Sequence, residues 1–385
     1  MIQPNQTIGF ITGGQLGQMM IQSFLPFRQN EKILILDGNK DFPCAPYANE
    51  VFTGSSKDFN SVLEFGKKCD TIILEFEHVN ADALQELENL GKKVFCQAKY
   101  IKIIQNKGIQ KDFYTKNNIP TSKYIKIKNK QEFLELAKNN KIEFPVMQKT
   151  FLDGYDGGGV TKINSLADIN TKGFDAESII EECINITREF SLICGRDQHG
   201  NEFEYPLIEQ FFHEKTNIVD CITSHCEINI NTQSQVDAIA KKILTSFTGA
   251  GLWAVELFLD TSGNVLVNEI APRVHNSGHQ SIEGNYCSQF EQYMRIALGY
   301  SIGNTAEIKP SITLNLLGAE NHIGAVKYIG IENAMNMKNV AVHLYGKIST
   351  KPNRKMGHVT VTRNTLDECW KVIKILKNTI KIISE

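Results

Sequence analysis

The stretch NEIAPRVHNSGH, Asn268 to His279, ends a short apolar run, Val265 to Val267, with a carboxylate, an arginine and two histidines. It continues the second arm of a hairpin. Leu252 to Leu259 and Val265 to Ile270 are apolar, β-rich runs on either side of Asp260-Thr-Ser-Gly-Asn264, a turn that joins antiparallel strands. If Asp260 pairs with Val265, Glu256 stands opposite Glu269, with β-carbons roughly 5 Å apart on one face. Carboxylates so placed repel, and one titrates high unless a cation sits between them. Such oxygen ligands suit Mg²⁺, which takes one or two carboxylates and completes its shell with phosphate oxygens. A different register puts one Glu on each face, and the residues alone fit both.

Upstream, Lys149 ends the strand-like run Phe144 to Lys149, and Asp153-Gly-Tyr-Asp-Gly-Gly-Gly159 follows. Glycines expose backbone N–H groups to phosphate oxygens, and Lys107 and Lys149 add positive charge. The P-loop pattern GxxxxGK[ST] is absent, and a surface turn is the plainer alternative. Glu181-Glu182-Cys183-Ile184 ends another strand, with Glu189 close behind. Free backbone groups there can read an adenine edge and a carboxylate can hold ribose hydroxyls; a solvated acidic turn is the alternative. The opening Gly13-Gly14-Gln15-Leu16-Gly17 joins a strand, Thr7 to Ile11, to a helix. Thr12 stands where a dinucleotide fingerprint has its first glycine, with Asp37 as the ribose ligand in that reading. Lys347, Lys351, Arg354 and Lys355 crowd one turn, either a solvated face or a phosphate patch.

The rest of the chain sets bounds. With 385 residues, two or three domains are expected. Net charge is −2, which gives no general pull toward nucleic acid. The nine cysteines are scattered without a CxxC pair, which reads as reduced thiols in a cytoplasmic protein. No signal peptide and no membrane span is visible. Lys32 to Leu36, Thr71 to Phe76 and Val94-Phe95 read as further strands. Their alternation with helices predicts a parallel sheet, ending near Ala98. Lys99 to Lys116, Lys130 to Asn139, Gln233 to Ser246, Tyr286 to Leu298 and Thr365 to Ile380 read as helices. Ser178 to Glu181, Glu189 to Cys194 and Phe203 to Ile208 read as strands.

Taken in order, GGQLGQM, GYDG, the EEC segment with Glu189, VNEIAPRVHNSGH and RKMGH resemble the N5-carboxyaminoimidazole ribonucleotide synthetases, ATP-grasp ligases of purine synthesis, from about Ile8 to His358. The resemblance implies an α/β and α+β architecture. A Rossmann-like domain would span 1–98, an ATP-grasp domain 99–300 with a mobile lid at about 120–185, and a small β-rich C-terminal domain 301–385. ATP would be held by Lys107, Lys149, Gly154, Tyr155, Asp156, Gly157, Gly158, Gly159, Glu181, Glu182, Cys183, Ile184, Glu189, His213, Asn268 and Glu269. Glu256 and Glu269 would bind Mg²⁺, with Mn²⁺ as the alternative ion. Gln15, Leu16, Glu75, Glu77, Tyr155, Arg273, His275, Asn276, Lys347 and Arg354 would hold the ribonucleotide and bicarbonate, and Arg273, Asp156 and Lys347 would act at the reacting atoms. The implied reaction phosphorylates bicarbonate with ATP and transfers the carboxyl unit to the amino group of 5-aminoimidazole ribonucleotide. The implied protein is a homodimer without nucleic-acid or membrane partners.

This chain departs from the family in places. Thr12 replaces a glycine, Gly158-Gly159-Val160 replaces a basic residue, Gly and Gln, and Phe212 aligns with an ATP-site histidine that His213 follows. The spacing from Lys347 to RKMGH is one residue longer. The rival readings are another ATP-grasp ligase of the purine pathway, a catalytically impaired nucleotide-binding homologue, and a dehydrogenase built on the first domain.

Overall fold

The computed structural model describes residues 5–39, 42–152, 158–213, 216 and 218–385. The first unit is a five-stranded, all-parallel sheet in the order Glu50–Thr53, Lys32–Asp37, Thr7–Ile11, Thr71–Leu74, Lys93–Phe95. The edge strand Glu50–Thr53 was not legible, because its residues lie largely exposed without apolar alternation. The run expected to reach Phe76 stops at Leu74, which leaves Glu75 to Glu77 free at the carboxyl end of the sheet.

Residues 98–116 form two helices rather than one, Ala98–Gln105 and Lys107–Lys116. Asn106 caps the second, its side chain accepting from Ile109 N at 3.0 Å. That break places Lys107 on the first turn. The expected strand 203–208 splits into Glu202–Glu204 and Ile208–Phe212, since Pro206 between them has no N–H for a ladder. The helix expected from Tyr286 begins at Gln289, where Ser288 caps Glu291 N at 3.1 Å.

An antiparallel four-stranded sheet, Tyr124–Ile127, Ser178–Glu182, Val146–Thr150 and Val160–Ile163, stands apart with its own small core around Phe133 and Ile163. Besides a three-stranded sheet of Ser349–Thr350, Gly324–Ile329 and Lys381–Ser384, the remaining strands form a nine-stranded sheet. Its strands Ile186–Arg196, Gly251–Asp260 and Val265–Ala271 continue through Ile208–Phe212 and Val219–Thr223 into Ser311–Leu317, Lys355–Thr362 and Val340–Leu344. One face of this sheet buries Leu192, Val255, Leu257 and Val267 against helix Ile230–Ser246, through Val236, Ile239 and Ile243. Side chains alternate across a strand, so Glu189, Ser191 and Glu256 point to the opposite face. No helix among the described residues is long and apolar enough to cross a membrane.

Candidate active site

The hairpin brings Glu256 opposite Glu269, but not through the pairing of Asp260 with Val265. The turn closes one residue tighter. Asp260 N donates to Asn264 O at 3.0 Å, and Leu259 pairs with Val265. Continued without a break, that register would set Glu256 against Asn268. A bulge at Asn268 shifts the ladder by one and restores the two carboxylates to one face. The extra residue works on both sides. Asn268 Nδ2 donates to Glu256 Oε2 at 3.1 Å, and its Oδ1 accepts from Lys149 Nζ at 3.0 Å.

Lys107 Nζ lies 2.8 Å from Glu269 Oε2, and Lys149 Nζ 2.7 Å from Glu181 Oε2. The neighbouring Lys107 holds the Glu269 carboxyl well below the usual range, against its burial. Burial, then the charge of Glu269, pushes Glu256 up to about 7. In protein freed of divalent cations, native Glu256 keeps its proton where the unfolded residue, near 4.5, has released it. Its contribution to stability is therefore present at low pH and lost as pH rises through about 7. Thermal unfolding followed from about pH 5 to about pH 8 should fall more steeply for the wild type than for Glu256→Gln. Parallel curves would remove Glu256 from that role.

The pair opens on a cavity of about 440 Å³, whose walls also carry Lys107, Arg273, His275, Asn276 and Lys355. Arg273 is 8% exposed; its Nε donates to Glu77 Oε2 at 2.5 Å and its guanidinium lies 5.6 Å from the Phe76 ring centre. His275 Nδ1 meets Ser277 Oγ at 2.9 Å, and Ser277 Oγ meets Ser191 Oγ at 2.7 Å. Burial, with Arg273 and Lys355 nearby, depresses His275 to about 4. The imidazole is neutral at ordinary pH, so its 3.8 Å approach to Glu256 Oε1 is not an ion pair. Both polar side-chain atoms of Asn276 are buried without a hydrogen-bond partner among the described residues.

The opening turn lies at the carboxyl ends of strands Thr7–Ile11 and Thr71–Leu74, adjacent strands where the sheet order reverses, and outside the cavity lining. Ligands of open α/β sheets bind there. Glu75 is fixed over the turn: its Oε2 accepts from Thr12 Oγ1 at 2.8 Å and its Oε1 from Leu16 N at 3.2 Å. Thr12 holds this bond at φ 68°, a left-handed backbone that costs a β-branched residue about 1–2 kcal/mol. Asp37 accepts from Gly13 N at 2.9 Å, which shapes the turn itself.

The sequence matches the ribonucleotide synthetase preATP-grasp domain over residues 5–105, the ATP-grasp domain over 112–290 and the phosphoribosylaminoimidazole carboxylase C-terminal domain over 311–371. It is 32% identical over 370 residues to an N5-carboxyaminoimidazole ribonucleotide synthase of Staphylococcus aureus, covering 94% of each chain. The chain belongs to the N5-carboxyaminoimidazole ribonucleotide synthase family. It is also 32% identical to a phosphoribosylaminoimidazole carboxylase of Ogataea methanolica, over 98% of this chain and 70% of the relative. The N5-carboxyaminoimidazole ribonucleotide synthetase of Thermotoga maritima superposes with a TM-score of 0.88 at 31% identity, over 99% and 100% of the two chains. An N5-carboxyaminoimidazole synthase from Aspergillus clavatus, solved with ADP and 5-aminoimidazole ribonucleotide, does so with 0.86 at 29%, over 97% and 98%.

The remaining candidates sit in this synthase-family fold as follows. Gly154, Tyr155, Asp156 and Gly157 lie outside the described residues. Gly158 and Gly159 form a turn, and Gly159 O accepts from Thr150 N at 2.9 Å. Glu181 is 3% exposed, with both oxygens in ion pairs to lysines. Glu182, Cys183 and Ile184 line a separate cleft together with Pro120, Thr121 and Val265. Glu189 faces the same side as Glu256, and burial lifts it to about 7. Phe212 lines the 440 Å³ cavity, whereas the next residue, His213, is exposed. Lys347 Nζ donates to Lys355 O at 2.8 Å, and Arg354 Nη1 to Ser349 O and Oγ at 2.8 and 2.9 Å.

Lys355 was a missed cavity residue. The basic run names it, but strand parity hides it. Counting back from core-facing Val359 along an unbroken strand puts Lys355 on the core side. The register shifts beside Met356, which joins the core with Val359, and Lys355 turns to the cavity.

Proposed function

We propose that this chain carboxylates the amino group of 5-aminoimidazole ribonucleotide at the expense of ATP and bicarbonate. The observation that carries the reading is one cavity that holds both sets of groups. Glu256, Glu269 and Lys107 line it together with Arg273, His275 and Lys355, and His275 Nε2 comes within 3.8 Å of Glu256 Oε1. A bicarbonate oxygen attacks the γ-phosphorus of ATP, the bond to the bridging oxygen breaks and ADP leaves. The amine then attacks the carboxyl carbon of carboxyphosphate, phosphate leaves, and the nitrogen loses a proton to give the carbamate.

Lys107 and Lys149 would hold the phosphates, the glycine segment 154–159 would cover them, and the Glu182–Ile184 backbone and Glu189 would hold the nucleoside. Arg273 presents a fork to the bicarbonate-derived anion, Lys355 adds charge, and neutral His275 can accept the bicarbonate O–H. The unpartnered Asn276 amide would complete that pocket. Gln15, Leu16, Glu75 and Glu77 would line the ribonucleotide site, with Tyr155 and Asp156 at the imidazole. Two facing carboxylates that disfavour joint ionisation fit Mg²⁺, and Glu256 and Glu269 would hold it. When bound, the ion neutralises charge on the transferring phosphate.

Isotopically labelled bicarbonate, ATP and the ribonucleotide should yield a labelled carbamate by NMR; ATP hydrolysis with no labelled product would refute the acceptor. Arg354→Ala should raise KM for the ribonucleotide several-fold and leave KM for ATP near wild type, because Arg354 anchors the basic turn through Ser349. Equal changes in both would move Arg354 out of the ribonucleotide site.

A further inference from the structure

Behind the cavity stands a lysine that the reaction as described does not use. Lys111, on helix Lys107–Lys116, is 2% exposed. Its Nζ lies 2.6 Å from Glu181 Oε1 and donates to Ser122 Oγ at 3.0 Å and to Thr121 Oγ1 at 2.5 Å. Two of the three ammonium donors thus go to hydroxyls, and the charge itself faces the carboxylate as an ion pair. Glu181 is 3% exposed, and its other oxygen, Oε2, meets Lys149 at 2.7 Å. Buried Lys111 and part-buried Lys149 therefore share one carboxylate. Lys149 is the one that continues toward the cavity, through Asn268 to Glu256.

We infer that Lys111 is a positioning residue for nucleotide binding: it satisfies the charge of Glu181, so that Lys149 keeps a net positive field toward the phosphates. The inference rests on the ATP site proposed above. The charge balance is specific. Lys107 is matched by Glu269. Without Lys111, Glu181 would neutralise Lys149 in a closed buried pair, and a phosphate would meet a dipole in place of a cation. Charge interactions this far from water are weakly screened, so the loss would be felt at the ligand. Thr121 and Ser122 add a second constraint. They belong to the segment entering the small sheet, and Thr121 also donates to Val267 O at 2.7 Å, on the strand that carries Asn268 and Glu269. Lys111 thus fixes Glu181 relative to both sheets between which the nucleotide would lie.

The test is direct ADP binding by calorimetry to the full-length wild type, Lys111→Met, Glu181→Gln and the double variant, with thermal unfolding of each. Lys111→Met should weaken ADP about tenfold or more. The double variant should bind ADP more tightly than Lys111→Met and about as tightly as Glu181→Gln, because Lys149 no longer faces a carboxylate. A lysine that merely supports packing predicts the opposite, with the double variant as weak as the single or weaker. That result, or wild-type affinity in Lys111→Met, would overturn the inference. If Lys111→Met fails to fold, the double variant is compared with Glu181→Gln: equal affinity supports the inference, and a further tenfold loss overturns it. These measurements need no acceptor. A wrong acceptor would appear as a missing ribonucleotide effect in the wild type, with the ADP pattern intact; wild type that binds no ADP would overturn both.

Discussion

Glu269→Gln should lower ribonucleotide-dependent ADP release about a thousandfold or more while the protein still folds. The carboxylate is placed by a bulge and matched by Lys107, so its charge is present at every pH where the protein works. Glutamine keeps the shape and an acceptor for Lys107, which limits the structural effect. It removes the negative charge that, with Glu256, would hold the cation. A second consequence follows from the electrostatics. Glu256 is raised partly by Glu269, so in Glu269→Gln it should titrate closer to the usual carboxylate range. Carbonyl-region NMR or infrared spectroscopy of cation-free protein reads that shift. Turnover within tenfold of wild type would refute the metal-site assignment.

Arg273→Met should have the largest combined effect on stability and activity. The guanidinium is buried, and removing it leaves Glu77 facing a desolvated site without its counter-ion. Breaking such a pair costs about 3–5 kcal/mol. The companion Glu77→Gln, made in the same chain, removes the orphaned charge and should recover most of that stability. It cannot restore the proposed anion clamp, so turnover should stay low in the double variant. Unfolding by urea and ADP release on the same samples separate the two effects. If the double variant regains turnover, Arg273 acts through folding alone.

The sequence and the structure agree where local chemistry is strong. The parallel sheet follows from short β-rich runs spaced by helices, and four of its strands lie where the runs predict them. Of the two registers the residues fit, the structure has the one with facing glutamates, but through another turn pairing. Two departures cancelled, a tighter turn and a bulge at Asn268, and a bulge leaves no mark in a period-two pattern. The same physics concealed Lys355, whose side depends on a register shift beside Met356. The helix break at Asn106 could have been found, because Asn is a strong cap and Lys107 follows it directly. Lys111 could not. Its sequence neighbourhood is rich in lysines, and only the fold shows that the helix turns this one onto Glu181.

The most direct measurement of the central claim is ADP release from purified protein with Mg²⁺, ATP and bicarbonate, with and without 5-aminoimidazole ribonucleotide. Release that rises sharply on addition of the ribonucleotide is the predicted result. Release that is the same with and without it, from protein that binds ATP, would contradict the assignment of the acceptor to this site.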